Sequence, residues 1–96
     1  MILEHAVLNL SPGDEKNFEA AIGRVRPSIE STPGFQRMEL RRCVETPSRY
    51  LLLVWWDSVE AHTQGFRGSP RYAEWKAALH PFYDPFPVVE HYGAPV

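Results

Sequence analysis

The run Tyr50-Leu51-Leu52-Leu53-Val54-Trp55-Trp56 has no charged, amide or small hydroxyl side chain at any position. No other feature constrains the fold as tightly. The run is far too short to cross a bilayer, and it comes after Glu45-Thr46-Pro47-Ser48, a stretch of turn-forming residues. It therefore reads as the second strand of a hairpin, covering Arg49 to Trp56. Side chains alternate between the two faces of a strand, and antiparallel sheets commonly leave one face wet. A strand that is apolar on both sides needs cover on both. Helices of the same domain can supply one cover, and the sheet of a second copy is the simplest source of the other. Only one of Trp55 and Trp56 can face the helices.

The flanking segments supply the remaining elements. Ile2 to Leu10 reads as a first strand, and Ser11-Pro12-Gly13-Asp14 as a helix start, with Ser11 accepting from the Asp14 amide and Pro12 at the first helical position. Phe18, Ile22, Val25 and Ile29 then fall on one helical face. Pro27 is expected to kink this helix, with Gly23 four residues earlier giving the distorted turn room. Pro33-Gly34 punctuates the chain before a second strand, Phe35 to Val44. Asp57-Ser58-Val59-Glu60 reads as a capping box with Asp57 as the cap.

The second helix divides in two. Val59, His62 and Phe66 share a face, Gly65 to Gly68 loosens the turn, and Ser69-Pro70 restarts it with Tyr72, Trp75 and Leu79 inward. Pro81 ends it, and a proline-rich link leads to a last strand, Val88 to Tyr92. The order strand-helix-strand-strand-helix-strand with right-handed crossovers predicts one ferredoxin-like α+β domain over residues 1–96. Its four-stranded antiparallel sheet carries both helices on one face.

Composition excludes several classes of function. Ten Lys and Arg stand against twelve Asp and Glu, and the arginines are interleaved with acids and apolar residues. A nucleic-acid partner is not expected without a concentrated basic footprint. The lone Cys43 cannot form an internal disulfide and reads as a structural thiol. Met1 to His5 lacks a basic leader region. A soluble cytoplasmic protein with no membrane partner is the expectation. No histidine pair has the spacing of a metal site, so no metal is expected.

Three groups of residues carry a family signature. They are Pro33-Gly34-Phe35, then Trp55-Trp56-Asp57-Ser58-Val59-Glu60-Ala61, then Ser69-Pro70-Arg71-Tyr72 and, a little beyond, Trp75. On these the chain resembles the antibiotic biosynthesis monooxygenase family, small dimeric α+β-barrel proteins. The resemblance implies a homodimer packed sheet against sheet, a pocket between helices and sheet, and Trp56 as the inward tryptophan. Some members oxygenate anthrones, phenols or quinols with molecular oxygen and no cofactor, and others degrade haem. The haem-degrading members use an Asn, a Trp and a His where this chain has Ala6, Phe66 and Lys76, so that activity is not expected.

Cofactor-free oxygenation needs a base that removes a substrate proton, a dry cavity and a donor for the developing peroxide. His62 is the candidate catalytic base, because its helix face turns it toward the sheet and histidine titrates near working pH. The bland alternative is a buried histidine satisfied by the backbone. Trp56, Phe66, Tyr72, Trp75 and Tyr83 are the candidate substrate-binding walls, suited to a small aromatic ligand. Tyr72 and Tyr83 are the candidate donors. His80 reads as a helix-end cation, and His5 and His91 are unplaced. Two other classes stay open on the same fold: a non-catalytic small-ligand-binding module and a dimeric assembly domain.

Overall fold

Alternation along the third strand decides the layering. In a computed structural model that describes residues 1–96, Tyr50, Leu52, Val54 and Trp56 of β3 (Arg49–Trp56) are buried, while Leu51, Leu53 and Trp55 are half-buried. β3 lies inside a four-stranded sheet with β1 (Ile2–Asn9), β2 (Phe35–Arg42) and β4 (Val89–Tyr92), in the order β2-β3-β1-β4. Every pairing is antiparallel, and Leu52 stands opposite both Ala6 and Leu40. This is the ferredoxin-like arrangement expected from the element order.

One face of the sheet carries α1 (Glu15–Glu30) and α2 (Pro70–Leu79). Phe18, Ala21, Ile22, Val25 and Ile29 of α1 are buried against Leu8, Tyr50, Leu52 and Val54 in one apolar core. Each large aliphatic or aromatic side chain buried this way contributes about 1.5–3 kcal/mol. The helix runs through Pro27 as one element, with no break at that residue.

Two predicted helix starts are corrected. Ser11 uses its backbone carbonyl, not its side chain, to bond the Asp14 amide at 3.1 Å. Pro12 and Gly13 are thus the centre of a turn, Gly13 takes φ +101°, and the helix opens at Glu15. That positive φ suits glycine in a turn whose preceding position is proline. The second correction concerns Asp57, whose carboxylate accepts from the Gln36 side chain and is not a cap. Ser58 Oγ takes the Ala61 amide instead, at 3.1 Å.

Beyond Ser58 the chain winds into a π-helical turn (Ala61–Phe66), bonded five residues apart, before α2 begins with Pro70 in its first turn. α2 ends at Leu79, and Pro81 sits within a 3-10 turn (His80–Phe82). β2 and β4 are each shorter than expected, ending at Arg42 and starting at Val89.

The other face of the sheet has no cover within the chain. Its centre is Leu3, Leu51, Leu53, Trp55 and the exposed Val7. Its β2 margin is charged: Glu39 pairs with Arg37 at 3.0 Å and with Arg41 at 2.8 Å, and Arg37 also lies 4.0 Å over the Trp55 ring. Cys43 is half-buried, its sulfur accepting the Thr46 amide at 3.4 Å. No helix is long and apolar enough to cross a membrane.

Candidate functional site

The alternation that buries Ala6 and Leu8 also turns Glu4 inward, leaving a carboxyl group only 5% exposed beneath the helices. On β4 the residue opposite Glu4 is His91, and on β3 it is Val54, two positions before Trp56. Antiparallel register therefore gathers Glu4, Trp56 and His91 at one end of the covered face. The π-helical turn lowers a fourth group onto them. The turn is bonded to the fifth residue and not the fourth, and His62 and Phe66, four residues apart, are its buried side chains.

These side chains form one polar row. Trp56 Nε1–H donates to Glu4 Oε1 at 2.9 Å, and His62 Nε2 lies 3.3 Å from the same oxygen. His62 Nδ1 is 2.8 Å from His91 Nε2, and the His62 ring stacks on Trp56 with centroids 5.3 Å apart. An indole nitrogen only donates, so Oε1 is an acceptor. The row is self-consistent when His62 Nε2, turned to Oε1, carries the imidazole proton and Nδ1 accepts from His91.

Burial dominates the electrostatics. It pushes the Glu4 carboxyl up to about 7, against the opposing pull of the Trp56 N–H and the Arg67 charge. Burial also lowers His62 to about 3, with help from Arg67 and His91. His62 is therefore a neutral imidazole at ordinary pH, and its 3.3 Å contact with Glu4 is not an ion pair. His91 and His80 are likewise lowered, chiefly by burial. The Tyr83 hydroxyl is raised, first by burial and then by the negative charge of Glu4, and stays a donor.

Glu4 and His62 open onto a cavity of about 190 Å³ lined mostly by apolar groups, among them Ala6, Leu52, Phe66, Trp75, Phe86 and Val89. Of the predicted walls, Phe66, Tyr72, Trp75 and Tyr83 share this cavity with His62. Trp56 does not line it. It is fully buried behind Glu4 and His62, where it holds both. The polar rim is Arg67, Tyr72, His80 and Tyr83, with His80 Nε2 3.5 Å from the Tyr72 hydroxyl. His80 thus faces the cavity in addition to ending α2. Arg71 points elsewhere, donating to Ser31 Oγ at 3.1 Å. His5 lies on the uncovered face beside Tyr92. No three imidazole, thiol or carboxyl groups converge as a metal site would require.

Sequence reasoning missed Glu4 and left His91 unplaced. The signal for Glu4 was present in its two-residue spacing from Ala6, Leu8 and Leu10. His5 offered the opposite phase equally well, however, and only pairing with β3 settles which face is covered.

The profile described as antibiotic biosynthesis monooxygenase matches residues 1–78. The uncharacterized protein YczJ of Bacillus subtilis (strain 168) is 48% identical over 92 residues, spanning 96% of this chain and 97% of its own. Among solved structures, a candidate antibiotic biosynthesis monooxygenase from Bordetella bronchiseptica superposes with a TM-score of 0.92 at 33% identity, over 99% of this chain and 97% of its own. SnoaB from Streptomyces nogalater, a cofactor-independent oxygenase, superposes with a TM-score of 0.80 over 99% of this chain and 93% of its own. At 20% identity that likeness is one of fold.

Proposed function

The chain belongs to the antibiotic biosynthesis monooxygenase family, and on that premise we propose that it is a cofactor-independent monooxygenase of a small aromatic substrate, phenolic, anthrone-like or quinol-like. The observation that carries this reading is the Glu4–His62 pair at the wall of an apolar cavity. A general base works best when its pKa lies near the operating pH, and the Glu4 carboxyl is held at about 7. An aromatic anion made in a dry cavity can pass an electron to oxygen without a flavin or a metal. That a cofactor-independent oxygenase shares the fold supports the same chemistry.

The side chains take roles within that chemistry. The base comes from the Glu4–His62 pair. Phe66, Tyr72 and Trp75 hold the ring, Tyr83 donates to the developing peroxide, and Trp56 fixes the base from behind. A volume of about 190 Å³ falls below the range of about 300–1,000 Å³ usual for drug-sized ligands. One or two rings therefore suit the cavity better than three.

Oxygen uptake by chelator-treated protein over a panel of phenols, naphthols and hydroquinones tests the proposal. One atom of labelled oxygen should enter the product, and His62→Ala should abolish uptake while circular dichroism stays native. Uptake that requires added flavin or iron would defeat the reading. Ligand-induced thermal stabilisation without uptake would identify a binding module instead.

We further propose a cytoplasmic homodimer formed through the uncovered sheet face. The half-buried Leu51, Leu53 and Trp55 support it, as does His5 Nδ1, a buried nitrogen on that face without a hydrogen-bond partner. Sedimentation should give twice the chain mass for the native protein and a monomer for Leu53→Asp.

A further inference from the structure

Resting on the oxygenase reading, we propose that Glu4 is the catalytic residue that takes the substrate's proton and returns it to the peroxide, with His62 and His91 as positioning residues. The geometry separates these roles. One nitrogen of His62 is bonded to His91, the other is turned to Glu4 Oε1 at 3.3 Å, and its ring face is covered by Trp56. It has no free lone pair to offer a substrate. Glu4 differs: Oε1 accepts from Trp56 and faces His62, while no protein group bonds Oε2 and the carboxyl lines the cavity.

The two oxygens thus have separate duties. Because Trp56 Nε1 donates to Oε1 and His62 Nε2 stands 3.3 Å from the same oxygen, a proton arriving at the carboxyl settles on Oε2 and faces the cavity. His62 keeps its tautomer in both states, and His91, half-exposed on β4, keeps His62 in that tautomer. The groups facing Glu4 from neighbouring elements are Trp56 from β3, His91 from β4, His62 and Arg67 around the π-helical turn, and Tyr83 from the link before β4. None occupies Oε2.

For a phenol the step balances with oxygen alone. The O–H proton passes to Oε2, and the phenolate gives one electron to oxygen. The resulting radicals join as a ring C–O bond, and the terminal peroxide oxygen takes the proton back from Glu4. The O–O bond then breaks as the ring C–H proton leaves with the departing hydroxide. The products are a quinone and one water, so the proton is borrowed and returned within the cavity.

The test combines one measurement on the resting protein with one on turnover. The Trp56 indole Nε1–H resonance should shift in a single step centred near pH 7, absent in Glu4→Gln. No step between pH 5 and 9 overturns the proposal, and this readout needs no variant that must fold. With 1-naphthol as probe, Glu4→Gln should lower kcat by about 100-fold or more with KM nearly unchanged. The wild-type rate should rise through the same midpoint, which His91→Phe should move upward. A Glu4→Gln rate within about threefold of wild type overturns the role of Glu4 and leaves the oxygenase reading standing.

No oxygen uptake by a wild type whose Trp56 resonance does titrate would sink the oxygenase reading. Exchange of the benzylic protons of 2-indanone with D2O under argon then decides for Glu4. Exchange lost in Glu4→Gln upholds it, and exchange retained or never seen overturns it.

Discussion

Glu4 and His5 are neighbours on one strand, yet they occupy different chemical worlds. Glu4 lies under the helices, hydrogen-bonded to Trp56 and 3.3 Å from His62, with its carboxyl shifted to about 7. His5 lies on the uncovered face beside Tyr92, between Leu3 and Val7 on its strand and opposite Leu53. The same contrast separates Trp56, fully buried and stacked on His62, from Trp55, capped only by the Arg37 guanidinium. The two faces of this sheet therefore do different work. The covered face keeps a carboxyl away from water and so gives it chemistry near neutrality. The uncovered face leaves apolar surface without cover from the chain.

The sharpest way to break the comparison is to truncate each tryptophan. Trp56→Ala should cost about 3–5 kcal/mol, because it opens a cavity and strips Glu4 of a donor. Trp55→Ala should cost less than about 1 kcal/mol in the isolated chain, since its ring is partly solvated already. Urea denaturation of both variants, made at concentrations that dissociate any dimer, checks this. Equal losses would mean that the faces are not distinct.

The pH dependence of stability sharpens the covered side. The unfolded chain releases the Glu4 proton near 4.5 and the folded chain near 7, so Glu4's contribution declines as pH rises through that window. For His62 the sign reverses. The unfolded chain binds a proton below 6.5 that the folded state refuses down to about 3, so this contribution grows with pH. The two oppose each other between pH 4.5 and 6.5 and leave a shallow profile. In Glu4→Gln the rising limb should stand alone, reinforced by His80 and His91, and in His62→Phe the falling limb should emerge. At full extent the Glu4 limb amounts to roughly 3 kcal/mol and the His62 limb to roughly 5 kcal/mol. Denaturation midpoints from pH 4 to 8 would show the limbs separating, and parallel profiles in all three proteins would refute the opposed shifts.

Smaller effects probe the supports of each face. Ser58→Ala removes the oxygen that takes the Ala61 amide, and should cost about 1 kcal/mol by loss of a cap. It should also lower turnover, because the turn carrying His62 starts there, and thermal melts with oxygen-uptake rates would report both. Arg37→Ala removes the cation over Trp55 and should cost about 0.5–1 kcal/mol in the monomer. No change in oxygen uptake per folded site is expected from it, and a large change would tie the uncovered face to the cavity.

Much of the architecture was legible because it depends on local pattern. Phe18, Ile22, Val25 and Ile29 announce a helix by spacing alone, and all four are buried as expected. The apolar β3 announced a strand without a polar side, and its two faces now differ only in what covers them. Capping was less legible. Asp57, Ser58 and Glu60 all carry oxygens suited to a helix start, and the choice fell to Ser58 because Asp57 is drawn to Gln36 across the sheet edge. The site was legible in part: His62, Phe66, Tyr72, Trp75 and Tyr83 meet at one cavity, while Trp56 stands behind it.

The order of elements, the amphipathic first helix and the inward face of the second were set by the sequence itself, because hydrophobic period and turn chemistry act over a few residues. The charge state of Glu4 and the row that joins it to His62 and His91 belong to the tertiary structure alone. Residues 4, 56, 62 and 91 meet only through antiparallel register and a widened helical turn. A carboxyl moves toward neutrality only when packing from distant segments has removed the water around it.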